Sequence, residues 1–268
     1  MHEHWQHNPG HSLLSVLIPL VMVGAILIVY LAALWALHRA RGRWNSWRTI
    51  SFSTGIILLG VALSPSLVQW AYHDMRGHMV QHLLIGMVAP LGLVMGAPVT
   101  LAMKTMPRQT ARLVTRMLGS SLFHVLSHPV TALVLNIGGM FVLYLSPLYN
   151  AAAGNPVLHH LIHLHFLAAG YLFTWAIAGP DPAPRRPGIG IRVVVLFISI
   201  AAHAYLSKCM YAYLYPLYSG HSADEIRSAA RLMYYGGDLS ELLLAIALFS
   251  VWYGRTNHPR YQKSFLFS

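Results

Sequence analysis

Seven long apolar stretches, separated by short polar links, are the feature that most constrains the fold of this 268-residue chain. Each stretch is close to or above the roughly 20 apolar residues that a helix needs to cross a bilayer. Only 9% of the residues are charged, against about 25% in a typical soluble domain. We therefore predict an all-α integral membrane protein, a bundle of seven transmembrane helices. The predicted spans are 13–38, 49–71, 78–102, 128–146, 157–178, 191–215 and 231–254.

The basic residues of the links predict how the bundle is oriented. Of the 18 Lys and Arg residues, 14 lie in the links after spans one, three and five or in the C-terminal tail. Basic links remain on the cytoplasmic side of a membrane. We therefore place the N-terminus outside and the C-terminus in the cytoplasm of a multi-pass membrane protein. The basic residues form no patch with interleaved aromatic residues, so the net charge of +11 does not indicate nucleic-acid binding.

The chain divides into three predicted segments. Residues 1–12 form a histidine-rich extracytoplasmic tail, residues 13–255 form the transmembrane domain, and residues 256–268 form a cytoplasmic tail. The first apolar run is too long for the core of a cleavable signal peptide. The sequence thus predicts a single membrane domain with no soluble domain attached.

The histidines are concentrated on one side of the predicted bundle. On this topology 13 of the 17 histidines lie in its outer half. His78 and His82 begin span three, His159 and His163 begin span five, and residues four apart share a face of a helix. One such pair is equally compatible with imidazoles that reach for headgroup water. Two pairs at similar depth favour a metal site on the extracytoplasmic side.

Other candidate ligands lie near these pairs. Met75 precedes His78 by three residues, and in span six His203 and Met210 are seven apart, so each set can share a helix face. His160 is within reach of His163. Imidazole suits copper, zinc, iron and nickel, and a thioether favours copper(I).

Two acidic residues and a lysine are predicted inside the membrane. Asp238 and Glu241 are three apart in span seven, and charges within a span by default mark a function. They either support a ligating imidazole or form an ion pair with Lys208, and the sequence leaves both interpretations open. The single cysteine, Cys209, excludes a cluster of cysteine ligands, and we expect it to be a packing residue.

Several motifs together suggest a known family. They are His78-Met-x-Gln-His82, Ala89-Pro90, Gly96-Ala-Pro98, and His159-x-x-x-His163-x-x-Phe166 with Gly170 and Phe173-x-Trp175. In this combination the chain resembles the multi-span CtaG family of cytochrome c oxidase assembly factors. The resemblance covers about residues 50 to 255. The chain departs from the family around Asp238, where the family usually has Asp-Gln followed by a glycine pair.

The resemblance implies a function in maturing the copper centres of haem–copper oxidases. We expect a non-enzymatic assembly factor that binds copper, with copper(I) favoured and zinc possible, and that helps insert it into cytochrome c oxidase at the outer membrane face. The expected partners are oxidase subunits, a periplasmic copper chaperone and membrane lipid. The predicted ligands are His78, His82, His159, His163, Met75, His203 and Met210, supported by Asp238, Glu241 and His160.

Three other functions remain open from the sequence. Three histidines and an aspartate could hold zinc in a membrane hydrolase, for which Ser64 and Ser66 are candidate site residues. A b-type haem could bind between one histidine of span three and one of span five, although the chain has no C-x-x-C-H motif. A copper transporter would use the same donors.

Overall fold

The structure, a computed structural model, describes residues 13–183 and 185–256, with side chains from Leu17 onward. The four histidines of the predicted N-terminal tail and nearly all of the predicted C-terminal tail lie outside the described residues. Within the described part of the chain, regular structure consists of helices, including two π-helical turns, and no strand. The predicted all-α class is therefore confirmed.

The helices are numbered α1 to α14 in chain order. They are α1 Leu13–Arg39, α2 Ser46–Ala62, α3 Pro65–His73, α4 Met75–Leu83, α5 Ala89–Met95, α6 Pro98–Thr105, α7 Arg108–Leu118, α8 Ser121–Leu126, α9 Pro129–Leu133, α10 Gly139–Leu145, α11 Leu148–Ala153, α12 Pro156–Ala178, α13 Ile189–Tyr213 and α14 Ala223–Thr256. The two π-helical turns, Leu84–Val88 and Val134–Gly138, connect α4 to α5 and α9 to α10.

Five helical segments are long and apolar enough to cross a membrane. They are Leu17–Arg39, Met75–Thr105, Pro156–Ala178, Ile189–Tyr213 and Ala223–Thr256. The α2–α3 pair passes the same test as one unit but is bent by 52°, and the α9–α10 segment is a shorter apolar helix. The chain is thus a multi-pass membrane protein, while the count of seven crossings and the orientation of the termini stay predictions.

Prolines explain the breaks within the predicted spans. Ser64 caps α3 by accepting a hydrogen bond from the Leu67 N–H, and Pro65 occupies the first turn, where its missing N–H costs nothing. Pro90 has no N–H to donate to the Gly86 carbonyl and follows directly on the first π-helical turn. Ala97 adopts a left-handed conformation with φ 49°, which separates α5 from α6.

The last helix begins earlier than the sequence pattern predicted, at Ala223 instead of residue 231. Ser222 and Glu225 form a reciprocal capping box, in which the Glu225 N–H donates to the Ser222 hydroxyl and the Ser222 N–H donates to the Glu225 carboxylate, both at 3.3 Å. The first turn of α14 is polar, so hydropathy did not indicate where the helix begins. The capping box of Ser222 and Glu225 does indicate it.

Contacts between links define two ends of the bundle. At one end, Tyr149 and His221 share a hydrogen bond of 3.0 Å, and the Asn150 amide donates to the Leu217 carbonyl at 2.8 Å. We call this the histidine end, formed by residues 73–82, 140–166 and 203–225. At the other end, Asp181 binds the start of α6. We call this the basic end, formed by residues 96–128, 175–192 and 255.

Candidate metal centre

The first histidine pair is positioned by its neighbours on α4. Asp74 caps this helix, accepting a hydrogen bond from the Arg76 N–H at 2.7 Å. The Gln81 amide donates at 2.8 Å to the Ala62 carbonyl, at the end of α2 where the chain breaks before Pro65. The glutamine of the motif therefore ties α4 to α2 and fixes the height at which the imidazoles enter the bundle.

His82 lies at the centre of the histidine end and is 4% exposed. Its Nε2–H donates to the thioether sulfur of Met140 at 3.0 Å, since a thioether can only accept. The edge of the imidazole packs against Phe166, with ring centroids 4.7 Å apart. Met140 belongs to α10, just after the second π-helical turn. Two helices thus bring an imidazole nitrogen and a sulfur face to face.

His203 adds a second buried imidazole from α13. It is fully buried, and neither ring nitrogen has a hydrogen-bond partner. The ring lies directly on Gly237 of α14, where a Cβ would be 1.9 Å from its Cε1 atom. His203 and His82 are close enough for a charge on one to act on the other. A glycine on the last helix therefore makes room for an imidazole beside His82.

His78 lies one turn above His82, between two tyrosines. Its ring makes edge contacts with Tyr149 and Tyr144, at centroid distances of 5.1 and 6.0 Å. Its Nε2 is buried without a hydrogen-bond partner. A buried imidazole held only by aromatic edges is unusual, because buried polar atoms are normally hydrogen-bonded.

The second histidine pair faces the first. His159 and His163 on α12 have ring centroids 4.3 Å apart, and His163 is within electrostatic range of both His78 and His82. His160 instead turns back, and its Nδ1–H donates to the Pro156 carbonyl at 2.6 Å. His165 points elsewhere, donating to the Leu135 carbonyl at 3.1 Å. His163 thus lies within electrostatic range of the first pair, whereas His160 is engaged locally.

The cluster does not form a conventional cage. Among residues 13–183 and 185–256, no group of three or more His, Cys, Asp or Glu side chains is arranged to hold a metal ion. The apolar core of the bundle nevertheless contains several thioethers. Five methionines are buried in the same apolar core: Met75, Met79, Met140, Met210 and Met233. Neither Met75 nor Met210 makes a hydrogen bond to an imidazole in the described structure, whereas Met140 does.

Among the described residues, Lys208 forms no ion pair with Asp238 or Glu241, which was one of the two interpretations that the sequence left open. The ion pairs among the described residues are Arg76–Asp74 and His221–Glu225. Lys208 is exposed, and its ammonium lies 5.7 Å from the Tyr234 ring, as expected for a long cationic side chain that reaches out of the apolar layer.

The two acidic residues of span seven therefore form no ion pair with Lys208. Asp238 is half-buried. Glu241 is 2% exposed and accepts a hydrogen bond from the Ser199 hydroxyl at 3.1 Å. Its second oxygen has no partner and lies beside a crevice of about 290 Å³ that Asn136, Thr174 and Ser240 also line.

The serines named for a zinc hydrolase have a structural explanation. The Ser64 hydroxyl donates to the Val61 carbonyl at 2.8 Å and accepts from the Leu67 N–H, while Ser66 lies 3.2 Å away. Both hydroxyls are part of the cap that begins α3. Cys209 is buried and free, in agreement with its expected packing role.

Met140 is the residue that the sequence did not single out. It follows Ile137 and two glycines and precedes Phe141 and Val142, so nothing in this largely apolar run distinguishes it. Only the approach of α10 to α4 reveals it, because the partner of Met140 is 58 residues away in sequence. The nearby glycine pair, Gly138 and Gly139, was the available hint of a distorted helix.

Comparison with known proteins places this arrangement in a family. Residues 28–255 match the model of the family described as cytochrome c oxidase caa3 assembly factor. The chain belongs to this family. The resemblance inferred from the histidine motifs is thereby confirmed. The matched range contains every described candidate residue from Met75 to Glu241, but not the histidine-rich segment 1–12.

Individual relatives come from mycobacteria. An uncharacterised protein of Mycobacterium leprae is 32% identical over 198 residues, which are 69% of this chain and 30% of the relative. Uncharacterised proteins of Mycobacterium bovis and Mycobacterium tuberculosis are each 34% identical over 192 residues, 68% of this chain and 29% of the relative. The chain therefore spans about a third or less of the length of these curated relatives. No solved structure matches the chain.

Proposed function

We propose that this assembly factor carries copper(I) as its cargo, bound at the histidine end, and helps to insert it into cytochrome c oxidase. The observation that carries the proposal is the Nε2–Sδ contact of His82 and Met140, next to the unpartnered imidazole of His203. Buried imidazole nitrogens without protein partners are expected where a ligand completes them. The donors present are the ones copper(I) prefers.

The chemistry of the donors also favours transfer over permanent storage. Neutral imidazoles and thioethers add no negative charge to a site in an apolar bundle, and the one cysteine is on another face of α13 from His203. Thiolate cages hold soft metals far more firmly than such donors. His159 and His163 near the mouth of α12 would receive the ion, and His82 with Met140 would hold it deeper.

The partners follow from the family and are part of the proposal. An assembly factor of this kind would meet oxidase subunits at the outer face of the bacterial inner membrane and would take copper from a periplasmic chaperone. It would act by binding and release, without catalysing a reaction. Asp238, at the outer part of α14 and half-buried, would support the site electrostatically.

A copper(I) competition assay on the detergent-purified protein tests the proposal. We expect the variant His82→Ala with Met140→Leu to bind copper(I) at least tenfold more weakly. Mutation of residues that merely support metal ligands already lowers affinity by about tenfold or more. X-ray absorption at the copper edge should show a sulfur neighbour that Met140→Leu removes and Met75→Leu retains.

The matched control is His38→Ala, which removes an exposed imidazole near the C-terminal end of α1. It should leave the affinity unchanged. If the double variant binds as tightly as the wild type, or if the sulfur signal survives in Met140→Leu, the proposed site is wrong. Zinc bound at one equivalent without a sulfur neighbour would instead favour the hydrolase.

A further inference from the structure

A second crevice, of about 370 Å³, lies at the basic end, far from the histidine cluster in sequence and in the fold. It opens between α7, α8 and the link from α12 to α13. Its lining includes the polar side chains of His124, Ser127, His128, Arg185 and Arg186, and no acidic side chain of the described residues. A crevice with this lining is suited to an anion.

Arg186 is held in place by carbonyl groups, without a carboxylate. Its two terminal nitrogens donate to the carbonyls of Gly179, Trp175 and Asp181, and its guanidinium lies 5.2 Å from the Trp175 ring. This arrangement caps the end of α12, as basic side chains often do. The capping uses the terminal nitrogens but leaves Nε buried and without a partner.

Positive charge accumulates around this guanidinium. Arg255 donates to the carbonyl of Gly179, which Arg186 also uses, and to that of Pro180 at 2.9 Å. Burial, together with the charges of Arg255 and Arg192, lowers the pKa of Arg186 to about 10, which still leaves it protonated at neutral pH. The acid nearest in sequence, Asp181, is committed to the start of α6. Asp181 also attracts this guanidinium electrostatically, but its carboxylate is hydrogen-bonded to the start of α6 and does not line the crevice.

The surface beside the crevice fits the interface of a membrane. Arg108, Arg112 and Arg116 recur every four residues along one face of α7, and Leu113 and Met117 on the other face are 55% and 63% exposed. Such a helix lies in the plane of a membrane with its apolar side among acyl chains.

The next helix continues the apolar surface up to the crevice. On α8, Leu122 and Val125 are 72% and 56% exposed, although Phe123 and His124 of the same helix line the crevice. Exposed apolar side chains of this size would be unfavourable in water but not against lipid tails. The basic crevice therefore adjoins an exposed apolar surface, just as the headgroup of a lipid adjoins its acyl chains.

We propose that this crevice binds the headgroup of an anionic phospholipid, with its phosphate among Arg185, Arg186, His124 and His128 and its acyl chains against α7 and α8. Guanidinium and imidazole N–H groups are good phosphate donors, and basic crevices between helices on the cytoplasmic side are a known way to hold such headgroups. The site is independent of the metal and would hold the basic end in an anionic leaflet.

Native mass spectrometry of the full chain in detergent tests this assignment. The protein is titrated with phosphatidylglycerol and, separately, with phosphatidylcholine of the same acyl chains. We expect phosphatidylglycerol to bind at least tenfold more tightly than phosphatidylcholine. The double variant Arg185→Gln with His124→Gln should abolish that preference. Arg185→Gln alone, which changes only an exposed side chain, should reduce it in part.

The control is Arg43→Gln with His38→Gln, which removes the same residue types from exposed positions in and near the link after α1. It should keep the preference. Equal affinity for both lipids, or the same loss in the control pair, would overturn the proposal and indicate a nonspecific basic surface. Complete displacement of phosphatidylglycerol by millimolar inorganic phosphate would also overturn it, in favour of a site for free phosphate. Copper(I) binding should not change in any of these variants.

Discussion

Two fully buried polar side chains, one at each end of the bundle, are treated in opposite ways. Asp181 at the basic end accepts hydrogen bonds from the Thr100 N–H at 2.7 Å, the Thr100 hydroxyl at 2.6 Å and the Val99 N–H at 3.2 Å. His203 at the histidine end accepts and donates none. The described residues supply three hydrogen-bond donors to Asp181 and no hydrogen-bond partner to the His203 ring.

The difference in hydrogen bonding indicates which of the two side chains stabilises the fold. A buried carboxylate with three donors at the start of a helix stabilises the fold, because it caps orphan N–H groups and complements the helix dipole. A buried imidazole without partners costs free energy and is retained where it has another use. The same contrast extends to His78, whose Nε2 is also unpartnered.

The largest effect is expected when the hydrogen-bonded side chain is removed. Asp181→Ala leaves the first N–H groups of α6 and the Thr100 hydroxyl without their acceptor, so the free energy of unfolding should fall by about 3 kcal/mol. Denaturant titration in detergent measures it. Asp224→Ala, an exposed acid in the first turn of α14, is the control and should change it by less than about 0.5 kcal/mol. If both variants change the free energy of unfolding by a similarly small amount, the hydrogen bonds of Asp181 do not stabilise the fold.

A smaller loss is expected where the two histidine helices touch. A Cβ at Gly170 of α12 would lie 1.9 Å from the Gly86 carbonyl oxygen in the first π-helical turn. Gly170→Ala must therefore push the helices apart, at a cost of about 2 kcal/mol, and should also weaken copper(I) binding by separating His163 from His82.

The control for this contact is Gly190→Ala, at a helical position where a Cβ meets nothing within 4 Å. It should be neutral or slightly stabilising, since alanine favours helix. If both variants unfold at the same denaturant concentration, the close contact of α12 with the π-helical turn is not a determinant of stability.

Replacing the unpartnered side chain should cost the fold little. His203→Leu removes no hydrogen bond and keeps the volume, so the free energy of unfolding should change by less than about 1.5 kcal/mol. Copper(I) affinity should nevertheless fall. A loss of stability as large as that of Asp181→Ala would mean that His203 is a structural residue.

Hydropathy and helix periodicity predicted the helical class and the multi-pass character, because both follow from local patterns. The seven crossings and the metal site stay predictions. Met140 and Asp181 could not be predicted, since their partners are 58 and 81 residues away and depend on how helices meet. The sequence also left open an ion pair of Lys208, which the described residues do not form. The direction of a flexible side chain depends on its neighbours, which the spacing along one helix does not describe.

The smallest effect is expected at the exposed edge of the histidine end. Hydrogen bonds from the Arg76 side chain, at 3.0 Å to each oxygen, lower the pKa of Asp74 from 3.8 to about 2. Because the folded pKa lies below the unfolded one, the ionised carboxylate stabilises the fold fully above about pH 4, and this stabilisation is lost as the pH falls towards 2.

Thermal melting between pH 4 and pH 2 measures this contribution. The wild type should lose no more than about 2 °C beyond the loss seen in Asp74→Asn, which keeps the cap but cannot ionise, because exposed ion pairs are screened by water. Arg76→Gln should behave like Asp74→Asn. A pH-dependent loss several times larger would contradict this expectation. It would show that the ionisation of Asp74 at the start of α4 is coupled to the buried imidazoles of the same helix.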